Sequence, residues 1–154
     1  MIVFLSYGSA ADQVTALRLQ ALAAVNGVSV YVPPAYTRRN PAAVLEPDTA
    51  PKLNEADVVL GVIAAGLTEA CRQEINTGLA LSKPTIVIAE PAYAGQLAPY
   101  LGPNLVVIDP AAPELAENGI VQHLRAIDAE QNARKALLAL GTVALGLLMF
   151  APQE

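Results

Sequence analysis

The chain holds one cysteine, Cys71, and one histidine, His123. A single thiol cannot close an intrachain disulfide, and with one imidazole beside it no cysteine- or histidine-built metal centre is expected. Positive charge is scarce as well: 9 Lys and Arg stand against 14 Asp and Glu, for a formal net charge of −5. Such a chain lacks the clustered cations that displace counterions from phosphate backbones, so no nucleic-acid partner is expected. No GxGxxG, Walker A, GxSxG or HExxH pattern occurs. A nucleotide site here would therefore not be built on a standard phosphate loop. Met1 runs straight into Ile2-Val3-Phe4-Leu5 without a basic stretch or a small-residue cleavage site, so no secretory signal is expected.

What the chain has in abundance is apolar surface. Hydrophobic residues make up 54% of its 154 residues and charged residues only 15%. That composition excludes a disordered chain. A domain of this length buries roughly two thirds of its unfolded surface, enough for a full core. Part of the excess sits in one place. Residues 136–151 read ALLALGTVALGLLMFA, sixteen positions without a charge, after Arg134-Lys135. In a helix they reach about 24 Å, against a hydrocarbon core of about 30 Å. A membrane anchor is the first reading of this tail, with Thr142 and Gly146 as a small-xxx-small step for helix pairing. A helix buried on its own domain, or shared in an oligomer, is the second.

The rest alternates between two periodicities. Ile2–Leu5, 28–32, 58–64, 85–89 and 105–108 are short apolar runs that read as strands. Continuous apolar strands point to a parallel sheet covered on both faces. Ser9 and Asp12 resemble a capping box, followed by Val14, Leu17, Ala21, Leu22 and Val25 at helical spacing. Thr68 reads as the N-cap of a helix to Ser82, and a further helix is expected over Pro113 to about Gln131, carrying His123. Residues 90–101 read as a loop or short helix broken by Pro91, Gly95 and Pro99. Prolines 33, 34, 41, 47 and 51 make 33–51 irregular, and so long a loop is often a binding loop. The pattern is α/β: a doubly wound, five-stranded parallel sheet of order 2-1-3-4-5, with the hydrophobic helix at its C-terminus. Residues 1–131 form the domain and 132–154 the tail.

In that topology a ligand lies beyond the carboxyl ends of strands 1 and 3. Those ends carry Ser6-Tyr7-Gly8-Ser9 and Ala65-Gly66. Cys71, Glu74 and Gly78 share one face of the next helix, and the 33–51 loop emerges on the same side. Glu74 is the candidate functional carboxylate, although a mid-helix glutamate is most often solvated. Cys71 has no evident histidine or asparagine partner and reads as a small core residue. Arg38 and Arg39 have the charge to meet phosphates, although a basic pair in a polar loop is usually solvated.

Three segments resemble a known family. Val3-Phe4-Leu5-Ser6-Tyr7 with Asp12 is similar to the first box of Toll/interleukin-1 receptor (TIR) domains. Asn54-Glu55-Ala56-Asp57-Val58-Val59-Leu60 resembles that family's third strand. Ala70-Cys71-Arg72-Gln73-Glu74-Ile75, running on to Ser82-Lys83-Pro84, resembles the second box. The resemblance covers roughly residues 1–127. It implies a flavodoxin-like fold and cleavage of the nicotinamide–ribose bond of NAD, which enters as substrate, with no further cofactor. It implies Glu74 as the catalytic carboxylate, Ser6, Tyr7, Gly8, Ser9, Cys71 and Gly78 around the substrate, and Pro33, Tyr36, Arg38 and Arg39 in the so-called BB loop. It also implies self-assembly through TIR–TIR contacts, a role in bacterial defence or cell-death signalling, and a cytoplasmic domain, attached to the inner membrane if the tail is an anchor. Ala70 stands where the second box usually has tryptophan, and Pro33-Pro34 where an acidic residue is common after strand 2.

Two other readings compete. A non-catalytic TIR interaction module would need the 33–51 loop and not Glu74. A nucleoside 2-deoxyribosyltransferase-like N-glycosidase matches 74–84 in part but lacks the D-x-G-T stretch upstream.

Overall fold

The structure, a computed structural model, describes residues 1–25, 27–39, 47–108 and 130–149. The helix expected over 113–131, with His123, lies outside the described residues apart from its last positions. The ordered elements are β1 (Ile2–Tyr7), α1 (Gln13–Val25), β2 (Ser29–Tyr31), α2 (Thr49–Glu55), β3 (Val58–Ile63), α3 (Glu69–Ala80), β4 (Thr85–Ala89), α4 (Pro91–Leu101), β5 (Leu105–Val107) and α5 (Gln131–Met149). Short 3₁₀ turns cover Ala10–Asp12, Ala35–Arg39 and Gly102–Asn104.

The strands form one sheet in the order β2-β1-β3-β4-β5. Every pairing is parallel, with β1 against β3 running from Val3↔Val58 to Tyr7↔Val62. This is the flavodoxin-like, doubly wound arrangement. Side chains alternate across the pleat. Val3, Leu5 and Tyr7 join Leu60, Val62, Ile86 and Ile88 on the face covered by α1 and α5. Phe4 and Val59 pack with Leu53 of α2 on the opposite face, where Ile75, Val87 and Leu97 build a second cluster beneath α3 and α4.

Two elements depart from the sequence pattern. Residues 91–101 form one helix despite Pro99 inside it. Pro91 sits at its first position, where the missing N–H is not needed, and burial of Leu97 and Leu101 outweighs the bond lost at Pro99. The proline-rich stretch after β2 is also more regular than expected, with a 3₁₀ turn at Ala35–Arg39 and α2 tolerating Pro51 in its first turn.

The apolar tail is part of the sheet's cover. Ala133, Leu137, Leu140, Ala144 and Leu145 are buried among the core residues of β1, β3 and β4, and α5 lies alongside α1. Its first turns line a groove with Met1, Val28, Asp57 and Pro84, which all precede strands, so α5 rises parallel to them. Among the described residues no helix is long and apolar enough to cross a membrane. Of the alternatives for the tail, the described part adopts the helix packed on its own domain.

Candidate functional site

β1 brings Ser6 to the α3 face of the sheet and Tyr7 to the α1 face. The turn after β1 is held tightly. Gly8 N donates to Val62 O at 2.9 Å, and Gly8 O accepts from Thr68 N and Thr68 Oγ1 at 2.9 and 2.7 Å. A Cβ at Gly8 would stand 2.0 Å from the Gly66 carbonyl oxygen, so only glycine fits here. Asp12 closes the same junction from α1's side, accepting from Ala65 N at 3.0 Å and Ala64 N at 3.3 Å. Burial pushes its carboxyl up, and these backbone donors oppose that shift. The capping box is half formed: the Asp12 carboxylate also accepts from Ser9 N, while the Ser9 hydroxyl makes no cap bond. Thr68 occupies an N-cap position without a side-chain cap bond, because its hydroxyl donates to Gly8 O.

On α3, Cys71, Glu74, Ile75 and Gly78 form the buried face. Glu74 is 1% exposed, so the solvated reading does not hold. Ser6 Oγ donates to Glu74 Oε1 at 2.8 Å and lies 3.2 Å from Cys71 Sγ. The hydroxyl has one proton, which the carboxylate takes as the stronger acceptor. A Cβ at Gly78 would stand 2.9 Å from Val59 Cγ2, so this glycine lets α3 approach β3 and its space is filled by that valine.

The partner of Glu74 comes from the loop. Arg38 Nη1 donates to Glu74 Oε1 at 2.8 Å, and Nη2 donates to Oε2 in a two-pronged ion pair. Nη1 also donates to Tyr7 O at 2.8 Å, and Nε to Thr37 Oγ1 at 3.1 Å. The guanidinium lies over the Tyr7 ring, 4.4 Å from its centroid. Tyr7 in turn donates its phenol proton to Pro33 O at 2.5 Å, and Thr37 N and Oγ1 both donate to Pro34 O. Arg38 is thus buried, and the solvated reading of it is corrected. Arg39 and Tyr36 are exposed.

Burial, the largest influence, pushes the Glu74 carboxyl up, while the bonds from Arg38 and Ser6 pull against it. The Cys71 thiol is pushed up to about 12 by burial, which makes it inert as a nucleophile at neutral pH. Among the described residues no group of His, Cys, Asp and Glu side chains has the arrangement to hold a metal ion.

The structure therefore brings Ser6, Tyr7, Cys71, Glu74, Pro33 and Arg38 together. Gly8 and Ser9 stand at the adjoining turn, while Gly78 is turned to helix packing and Tyr36 and Arg39 to solvent. The ion pair is what sequence reasoning missed; the two residues were both candidates, but nothing in the spacing paired them. Compared with protein-family models and with curated proteins, the chain matches none.

Proposed function

We propose that this chain cleaves the N-glycosidic bond of NAD, with Glu74 as the carboxylate that faces the ribose. The observation that carries this reading is a buried carboxylate, held by Ser6 and Arg38, at the carboxyl end of β1 and beside β3, where the winding of the sheet reverses. The resemblance of 1–127 to TIR domains supports the same choice of residue. Bond breaking at C1′ leaves its electron pair on the ring nitrogen, so nicotinamide departs as a neutral base without an acid catalyst. Positive charge grows on the ribosyl carbon and ring oxygen, and a fixed carboxylate in a dry site stabilises it. Water then forms the new C1′–O bond and gives its proton to solvent. Assembly of several chains and a role in bacterial defence belong to this proposal through the resemblance.

A second reading has one observation in its favour. Arg38 already satisfies both oxygens of Glu74, as a structural clip of a non-catalytic interaction module would. Nicotinamide release at high protein concentration decides between them. Turnover by the wild type and a loss of at least about tenfold in Glu74→Gln, roughly 1.4 kcal/mol of barrier, supports catalysis. Absence of turnover in both supports the interaction module, and equal turnover overturns the role of Glu74.

A further inference from the structure

All three guanidinium nitrogens of Arg38 are engaged, and Glu74 Oε1 and Oε2 both accept from it, with Ser6 as a further donor on Oε1. A carboxylate offers about four acceptor positions, so little of Glu74 is left for a ribose hydroxyl. Three of those positions are taken, and Glu74 and Arg38 are buried against each other, so a substrate that faces Glu74 takes the place of the Arg38 guanidinium. Neither charge can then be left alone, because a buried charge without a partner is heavily penalised. A neutral nucleoside replaces neither partner. A nucleotide with a pyridinium cation at C1′ and a phosphate on the 5′ side replaces both: the cation faces Glu74 and the phosphate faces Arg38.

The 3₁₀ turn carrying Arg38 packs against the turn Ala10–Asp12 that opens α1. That neighbouring turn carries the Asp12 carboxylate, which is occupied by Ala64 N and Ala65 N. Ser9, which precedes that turn, has a buried hydroxyl oxygen with no hydrogen-bond partner among the described residues. The bonds Tyr7–Pro33 and Thr37–Pro34 anchor the loop's start, so Arg38 can exchange partners by moving its side chain. We infer that Arg38 is a phosphate ligand held in reserve by Glu74, which makes it the residue that selects phosphorylated pyridinium nucleotides over nucleosides. The inference rests on the proposed role of Glu74 and assigns the residue that reads the phosphate of its substrate.

The test is calorimetric titration of the full chain with ADP and with adenosine, which differ only in phosphate. Glu74→Gln frees Arg38, and it is expected to bind ADP at least about tenfold more tightly than the wild type while its affinity for adenosine stays within about twofold. Arg38→Met is expected to bind the two alike. If Glu74→Gln gains nothing for ADP over adenosine, or ADP does not bind that variant, the inference is overturned. Should either variant fail to fold, the wild type labelled with ¹⁵N-arginine provides the answer. The Arg38 side-chain resonance shifts with nicotinamide mononucleotide, which carries both charges, and not with nicotinamide riboside, which lacks the phosphate, and an unmoved resonance overturns the inference. The readout is binding, so an ADP preference without nicotinamide release would sink the proposed reaction alone, and release without the preference would sink this inference alone.

Discussion

Arg38 Nη1 and Glu74 Oε1 stand 2.8 Å apart, although 36 positions separate the two residues in the chain. Both side chains are almost wholly withdrawn from solvent. The pair joins the loop after β2 to the middle of α3, so one contact both shapes the loop and occupies the carboxylate.

Removing one partner of a buried pair costs more than the pair itself contributes. Arg38→Met should lower the unfolding free energy by about 3–5 kcal/mol near neutral pH. The pH dependence carries a sign. Burial lifts the Glu74 carboxyl above its ordinary 4.5, so the folded state keeps that proton to higher pH than the unfolded chain. Stability from this group is then lost as pH rises from about 4.5 through the raised value. Arg38→Met removes an opposing influence and widens that window upward. Urea unfolding at several pH values should show the gap between variant and wild type growing as pH rises. A gap that stays constant from acid to neutral would count against this account.

Two glycines should respond in opposite directions to the same substitution. Gly8→Ala places a methyl group 2.0 Å from the Gly66 carbonyl oxygen and breaks the junction of the two turns. Gly95→Ala meets open space on an exposed position of α4 and should stabilise by about 0.5–1 kcal/mol, the helix-propensity difference. Melting temperatures of the two variants check this, and a stable Gly8→Ala would show that the turns are not held as described.

Adjacent leucines on α5 should separate cover from surface. Leu137 is fully buried, and Leu137→Ala should cost about 2–5 kcal/mol. Leu138 is 38% exposed. Leu138→Ala should change stability by no more than about 0.5 kcal/mol. Equal effects in denaturant unfolding would mean that α5 does not sit on the sheet by this face.

Cys71 should be unreactive in the native protein. Its thiol is pushed up to about 12 and is fully buried. Iodoacetamide at about pH 8 should label it only after denaturation, because the thiolate is the reacting form. Rapid labelling of the native chain, followed by mass spectrometry, would refute the assignment.

Much of this was legible in local pattern. The all-apolar β3 and the alternation of strands with helices specify a parallel sheet, because each depends on periodicity within a short stretch, whereas the order 2-1-3-4-5 is expected only as the commoner one for five such strands. Cys71, Glu74 and Gly78 could be put on one helix face for the same reason. Pro99 misled because a local rule about proline was outweighed by burial of Leu97 and Leu101, which the segment alone does not reveal.

The sequence by itself determined the α/β architecture, the helix face that carries Glu74, and the turns that come beside it, since these follow from residue spacing and from the handedness of parallel connections. Only the tertiary structure decided three things. Arg38 meets Glu74 because the loop after β2 folds across the carboxyl end of β1, a contact no periodicity encodes. Asp12 ties the β1 and β3 turns together because their backbone N–H groups lie within its reach. The apolar helix lies on the sheet because β1, β3 and β4 expose an apolar face that it covers, and an apolar helix has the same composition whether it meets lipid, a partner or its own core.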